Sequence, residues 1–248
     1  MKSEIFHYEW LHAGSPSRTW VEMGYSEPDA PRDQYPYLLT LHISAPSKNN
    51  RKKMGRIAQF RSRRVVKKLR NHAETSSVLW VGERHYGCAR EVFYYGETED
   101  SLRELAAQAA SKALSIEYEL IHDAQWNAYF NTVYPSASQK QIVKNRIWCE
   151  RMKKSGDNSN VARRINHYLS FYNERARLQF EGLARSAGFA LGEPFFAAEA
   201  PRAYGICVHQ RCPLHLDAIN NSTTRLIEVA QPLEGYYDYW DCALMPRR

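Results

Sequence analysis

The sequence predicts an α+β protein of two antiparallel-sheet domains with helices packed on one face, the C-terminal domain ferredoxin-like (βαββαβ). Three observations lead there. Short stretches that alternate apolar and polar residues recur between stretches with a 3.6-residue apolar period. In the first half the strand-like stretches follow one another through turn residues, which favours antiparallel pairing over βαβ units. The 248 residues exceed one ordinary domain and suit two.

Residues 5–11 and 19–25 are rich in aromatic and β-branched side chains and flank Gly-Ser-Pro-Ser, a strand pair with a turn. Tyr-Pro-Tyr-Leu-Leu-Thr-Leu-His-Ile-Ser-Ala-Pro over 35–46 is a third strand with proline near each end. From Lys53 to His72 the pattern is helical, with Met54, Ile57, Ala58, Val65 and Leu69 on one arc and Arg61 intruding on it. Residues 76–96 form a hairpin turning near Arg84–Gly87. Ser101–Leu114 is helical through Leu102, Leu105, Ala109 and Leu114, with Thr98 or Asp100 as cap. Residues 116–122 are a strand. Trp126, Tyr129, Phe130 and Val133 suit a short helix packed back on this domain, ended by Pro135.

A basic helix then runs from Ser136 or Ser138 towards Gly156, with Ile142, Ile147 and Cys149 as its few apolar points. Residues 164–172 alternate as a strand with Ile165, His167, Leu169 and Phe171 on one face. Helix 173–187 carries Ala176, Phe180, Leu183, Ala184 and Ala187, and Gly188 stops it. Strand 189–197 contains Pro194 and belongs at an edge or a bulge. Strand 204–210, helix 213–231 opening at Pro213, and strand 236–244 complete the split βαβ order. The expected division is 1–135, a basic helical linker at 136–156, and 157–248.

The formal charge of +7 is uneven. Segment 51–70 holds ten basic residues and no acid, and 136–156 holds six against one. Residues 157–248 balance, and the remainder of the chain is acidic. Such a local cationic field attracts phosphate, acidic protein surfaces or anionic lipid, although a charge run is as often a solvated helix face. The candidate contact residues are Arg56, Arg63, Arg64, Lys67, Lys68 and Arg70. Tyr236, Asp238 and Trp240 join them, because strand parity puts all three on one face, where aromatic rings could stack bases. Packing within the sheet is the commoner role for such rings.

Five cysteines and an N-terminus without an apolar core point to reduced thiols in a cytoplasm. Cys207, His209, Cys212 and His215 gather four possible ligands, but their spacing departs from the usual zinc knuckles, so no metal is expected. No run of apolar residues is long enough to span a bilayer. No phosphate loop, dinucleotide fingerprint or nucleophile elbow occurs, so no cofactor and no catalytic residue is expected.

Certain motifs carry a family resemblance. The C-terminal region resembles the family named for the regulator of ribonuclease E activity B through Arg164-Ile165-Asn166-His167-Tyr168-Leu169-Ser170-Phe171, Gly188-Phe189 and Gly235-Tyr236-Tyr237-Asp238-Tyr239-Trp240. The family usually has Asp where this chain has Asn166 and Gly where it has Tyr239. Residues 1–135 resemble an uncharacterised bacterial domain that often precedes it, through Tyr35-Pro36, Trp80-Val81-Gly82, Arg90 to Tyr95, and Asp123 with Trp126, Tyr129, Tyr134 and Pro135. The resemblance implies a non-catalytic protein that regulates a ribonuclease by binding it. The expected function is therefore partner binding, with a nuclease or a delivered toxin (an immunity-type role) as partner. RNA binding through the basic helix and aromatic strands is the alternative, and an enzyme with a dispersed polar pocket the remaining one.

Overall fold

The structure, a computed structural model, describes residues 4–45, 54–73, 77–111 and 113–246. The chain divides after Pro135 into two units, 1–135 and 136–248. In the first, Ala13 and Gly14 take positive φ values of 46° and 74° and close a hairpin between β1 (Ile5–His12) and β2 (Ser15–Glu22). Two left-handed residues match the right-handed twist of the strands they join. Ser15, Pro16 and Ser17, expected in the turn, pair instead with His12, Leu11 and Trp10.

The remaining elements are β3 (Tyr37–Ser44), α1 (Arg56–Ala73), β4 (Val78–Tyr86), β5 (Ala89–Gly96), α2 (Glu99–Ala107) and β6 (Ser115–His122). The strands form one antiparallel sheet in the order β1-β2-β4-β5-β3-β6. The β4–β5 turn is Gly87–Cys88, later than expected, so Arg84, His85 and Tyr86 are strand residues. Thr98 caps α2, which ends at Ala107, short of the expected Leu114. One sheet face packs Leu39, Leu41, Ile43, Val92 and Tyr94 against Val66, Leu69, Leu102 and Leu105 of the two helices.

The orientation of α1 differs from the apolar arc of the sequence. Its buried stripe is Ser62, Val66, Leu69 and Ala73, while Ile57 is 70% exposed. At 100° per residue this stripe is rotated by roughly 70–80° from the expected one. Small residues permit the close approach, and the Ser62 hydroxyl is satisfied by donating to the Gln59 carbonyl at 2.9 Å. The expected first residue, Lys53, lies outside the described residues, as do Arg51 and Lys52.

Residues 123–135 cover the opposite sheet face. Asp123 accepts from Tyr95 Oη at 2.7 Å and from the Asn127 and Ala128 amides at 2.9 Å each. Trp126 is fully buried at φ 56°, a costly conformation for a bulky residue. It is held by a stack on Tyr95, centroids 4.0 Å apart, and by donating to the Arg32 and Tyr35 carbonyls. A Cβ on Gly82 would lie 2.4 Å from Val133 in this same layer, so only glycine fits. The motif residues Asp123, Trp126 and Gly82 are thus accounted for by packing, as is Tyr129, fully buried and donating to the Glu22 carbonyl at 2.8 Å.

The second unit contains α3 (Ala137–Lys154), β7 (Arg163–Phe171), α4 (Glu174–Ser186), β8 (Ala190–Phe196), β9 (Tyr204–Cys212), α5 (Leu216–Ala230) and β10 (Tyr236–Cys242). Its antiparallel sheet has the order β10-β7-β9-β8, the order of a split βαβ fold. Ile165, Leu169, Phe171, Ile206 and Val208 meet Phe180, Ile219 and Leu226 of the covering helices. β8 is the edge expected from Pro194, with a bulge between Leu191 and Pro194. Leu183, expected inward, is 48% exposed, and α5 begins at Leu216, three residues after Pro213.

The helix expected as a linker belongs by its contacts to this unit. Ser136 and Gln139 cap α3 reciprocally. Its buried side chains are Gln141 and Asn145, and Ile147 is exposed. Asn145 donates to Thr223 Oγ1 at 2.9 Å and Asn220 Oδ1 at 3.0 Å, and accepts from Trp240 Nε1 at 2.8 Å. A polar network therefore does what apolar periodicity usually does, which is why the amphipathic pattern of this helix is so faint.

Candidate functional site

The six cations expected to act together on α1 do not share one face. The rotation of the helix carries Arg63, Lys67 and Arg70 to the rim of a cavity of about 520 Å³ over the end of the sheet. Lys68 lies on the other flank, where its ammonium donates to the Gln108 carbonyl at 3.3 Å and side chain at 3.2 Å. Arg64 rests over the Phe60 ring, and Arg56 is an exposed residue of the first turn.

The floor of the cavity comes from β2, β4 and β5. Trp20, Glu83, His85 and Arg90 fall on one face because Trp20 pairs with Glu83 and His85 with Arg90. Trp20 stacks against His7 and meets His85 at a tilt, with ring centroids 4.6 Å apart in both cases. Arg90 is 5% exposed. Its nearest ionic neighbour, Glu83 Oε2, is 3.8 Å away, too long for a hydrogen bond, and Arg90 donates to no described residue. Glu83 Oε2 and His85 Nε2 are also buried without a hydrogen bond, although His85 Nε2 lies 3.3 Å from Glu83 Oε1. Burial opposes the charge of Glu83, but His85 and Arg90 outweigh it and hold the carboxyl below the usual range. For Arg90, burial comes first and pulls its pKa down, and Glu83 offsets part of that. Arg70 also lies over the Trp80 ring at 4.0 Å.

The three residues expected together on the last strand are separated by a β-bulge between Tyr237 and Tyr239. The extra residue resets the alternation, so Tyr237 and Trp240 both enter the core while Tyr236 and Tyr239 face out. Trp240 is 5% exposed and its N–H is held by Asn145, so it does not share a face with Tyr236 as expected, although it lines a cavity beside α3. Asp238 accepts from Ser170 Oγ at 3.1 Å, and burial raises its pKa despite that bond and Arg202. On the open sheet face Tyr239 stacks on Tyr168 at 4.5 Å, beside Asp241, which accepts from Asn166 at 2.7 Å. A carboxylate there weakens the case for phosphate-bearing bases on this platform.

Beside that strand a second cavity of about 350 Å³ opens between α3 and β10, lined by Lys144, Ile147, Trp148, Arg151, Tyr239 and Trp240. Trp148 is 40% exposed and meets Trp240 edge to face at 6.5 Å, and Arg151 lies 6.0 Å over the Trp148 ring. β10 is an edge strand, so its outer backbone groups run along this groove unpaired by any strand. Neither Trp148 nor Arg90 was singled out as a contact residue from sequence. For Trp148 the signal was available, a large aromatic on a helix with almost no apolar face. For Arg90 there was none, because burial of a charged residue is a tertiary property.

Cys207 and His209 face the open side of β9, whereas Cys212 packs against the core and His215 bonds Asn160 at 3.0 Å. Strand parity thus separates the four possible ligands, and among the described residues no group of three or more metal-binding side chains forms. No described helix is long and apolar enough to cross a membrane.

The second unit is thus a split βαβ domain with a solvent-facing groove. Residues 142–242 match the family model described as regulator of ribonuclease activity B. No curated protein matches the chain. Among solved structures, an unknown protein from Galdieria sulphuraria is 11% identical over 84% of this chain and 98% of its own, with a TM-score of 0.23. A putative glycine cleavage system transcriptional repressor is 9% identical over 84% of this chain and 97% of its own, with a TM-score of 0.26. At such scores neither likeness bears on fold or function.

Proposed function

We propose that this protein is a non-catalytic regulator that binds a macromolecular partner, a ribonuclease in the first instance, through the α3–β10 groove of its second unit. The observation that carries this is positional. Lys144, Ile147, Trp148, Arg151, Tyr239 and Trp240 all lie inside the stretch matched by the ribonuclease-regulator family. The chemistry suits a protein partner: a half-exposed aromatic and an exposed aliphatic side chain form a hot-spot pair, and two cations with one carboxylate, Asp238, rim them. An immunity-type role against a delivered toxin is a narrower form of the same reading. Assignment of the first unit to the uncharacterised bacterial domain is a separate part of the proposal.

The test is a binding and cleavage assay with the full chain and purified endoribonuclease. A stoichiometric complex that slows cleavage is expected, and Trp148→Ala with Ile147→Asp should weaken it at least tenfold. Both side chains are exposed, so the fold should survive. Lack of any complex at micromolar concentrations, or a complex indifferent to the double variant, refutes the reading.

RNA binding is favoured by one observation, the exposure of Arg56, Arg63, Arg64, Lys67 and Lys68 around α1. It predicts co-purifying nucleic acid that is released at high salt.

A further inference from the structure

A buried guanidinium ordinarily has its five N–H donors occupied, because a buried polar group without a partner forfeits its hydration unanswered. Arg90 departs from this: the residue is buried, yet its unbonded nitrogens are not sealed off and open onto a cavity. Its side chain is 6% exposed, it lies 3.8 Å from Glu83 Oε2, and it donates to no described residue. It forms part of the wall of the 520 Å³ cavity, together with Arg63, Lys67 and Arg70. Glu83 is the one carboxylate among the residues lining that chamber. Four cations therefore converge on space that holds one compensating charge.

We propose that this cavity in the first unit is a binding site for a small phosphorylated anion, with Arg90 as its recessed two-point donor and Arg63, Lys67 and Arg70 closing over the remaining oxygens. The inference is independent of the groove in the second unit. Phosphate fits better than a single carboxylate because it brings more negative charge and several oxygens to a set of four cations. The planar fork of arginine matches two oxygens of a phosphoryl group at once. The cavity volume is that of ordinary small-molecule sites, roughly 300–1,000 Å³, and exceeds what a lone orthophosphate needs. The buried position of Arg90 favours a small ligand over a nucleic-acid backbone, which would meet the outer cations of α1 first. The Trp20 ring stacks on His7 and meets His85 at a tilt, so it is a wall already engaged within the chain.

Inorganic pyrophosphate is the probe, titrated calorimetrically into the full chain at physiological ionic strength. Saturable one-to-one binding with a submillimolar Kd is expected. Arg90→Gln should weaken it at least tenfold and Arg63→Ala severalfold, whereas Arg225→Ala, on the exposed surface of the other unit, should leave it unchanged. Circular dichroism checks that Arg90→Gln folds, and the exposed Arg63 provides the test if it does not. Absence of saturation up to about 10 mM overturns the proposal. So does binding that is equally strong in Arg63→Ala and in a folded Arg90→Gln, or equally weakened by Arg225→Ala. A single-stranded RNA oligonucleotide added in excess should fail to displace pyrophosphate; displacement assigns the cations to nucleic acid and overturns the small-ligand site.

Discussion

Each unit of this protein buries an arginine, and the two are used in opposite ways. Arg163, 1% exposed, donates to Asp157 and to the carbonyls of Asn158, Val161 and Ala243. It ties the start of β7 to the segments before it and after β10. Arg90, 5% exposed, has one carboxylate at 3.8 Å and faces a cavity. Burial alone therefore says little about the role of a charge. A guanidinium most of whose donors are answered within the chain holds the fold, and one whose donors are unanswered beside open space is placed for a ligand.

The largest expected effect comes from breaking the first of these. Arg163→Ala removes the guanidinium that Asp157, itself 1% exposed, bonds in the interior. Loss of one partner of a buried pair costs about 3–5 kcal/mol. Denaturant unfolding should show that loss, with faster hydrogen exchange in β7 and β10. A change below 1 kcal/mol would mean that the network contributes little, and the contrast with Arg90 would collapse.

His167 supplies an intermediate case, a buried base that avoids charge altogether. It is fully buried, bonded through Nδ1 to Tyr237 Oη at 2.7 Å, and burial lowers its pKa from 6.5 to about 3. Between those values the unfolded chain takes up a proton that the folded one refuses. Its contribution to stability is complete above pH 6.5 and is lost as pH falls towards 3. At pH 5 the loss is roughly 2 kcal/mol. Stability measured against pH should fall less steeply below 6.5 in His167→Phe than in the native chain. The slope is what counts, since that variant also leaves the Tyr237 hydroxyl without its partner. Parallel slopes would show that His167 is not the group responsible.

His167 was legible in the sequence, because it sits on the apolar face of a strand between Ile165 and Leu169. So were the helices on one face of each sheet and the edge position of Pro194, since period and proline chemistry act locally. What the sequence hid has a common physical cause. The bulge at Asp238 adds one residue to the alternation and exchanges the faces of Tyr239 and Trp240. The stripe of α1 is set by its packing against the sheet, and α3 is held by Asn145 in place of an apolar stripe. The cavity at Arg90 joins β2, β4, β5 and α1, four elements whose register no local pattern records.

The smallest expected effect gives the sharpest comparison. Arg90→Met removes a buried cation that donates no hydrogen bond to a described residue, together with its repulsion from Arg63. It also removes the charge nearest Glu83, which keeps His85 at 3.3 Å. Relief of desolvation and loss of that attraction oppose each other, so the unfolding free energy should move by less than about 1 kcal/mol, in either direction. The same kind of truncation at Arg163 is expected to cost several times more, and the ratio of the two changes measures the difference between a structural and a ligand-ready arginine. If Arg90→Met instead destabilises by 3 kcal/mol or more in anion-free buffer, Arg90 is holding the first unit together as Arg163 holds the second, and the cavity around it is a packing defect rather than a site.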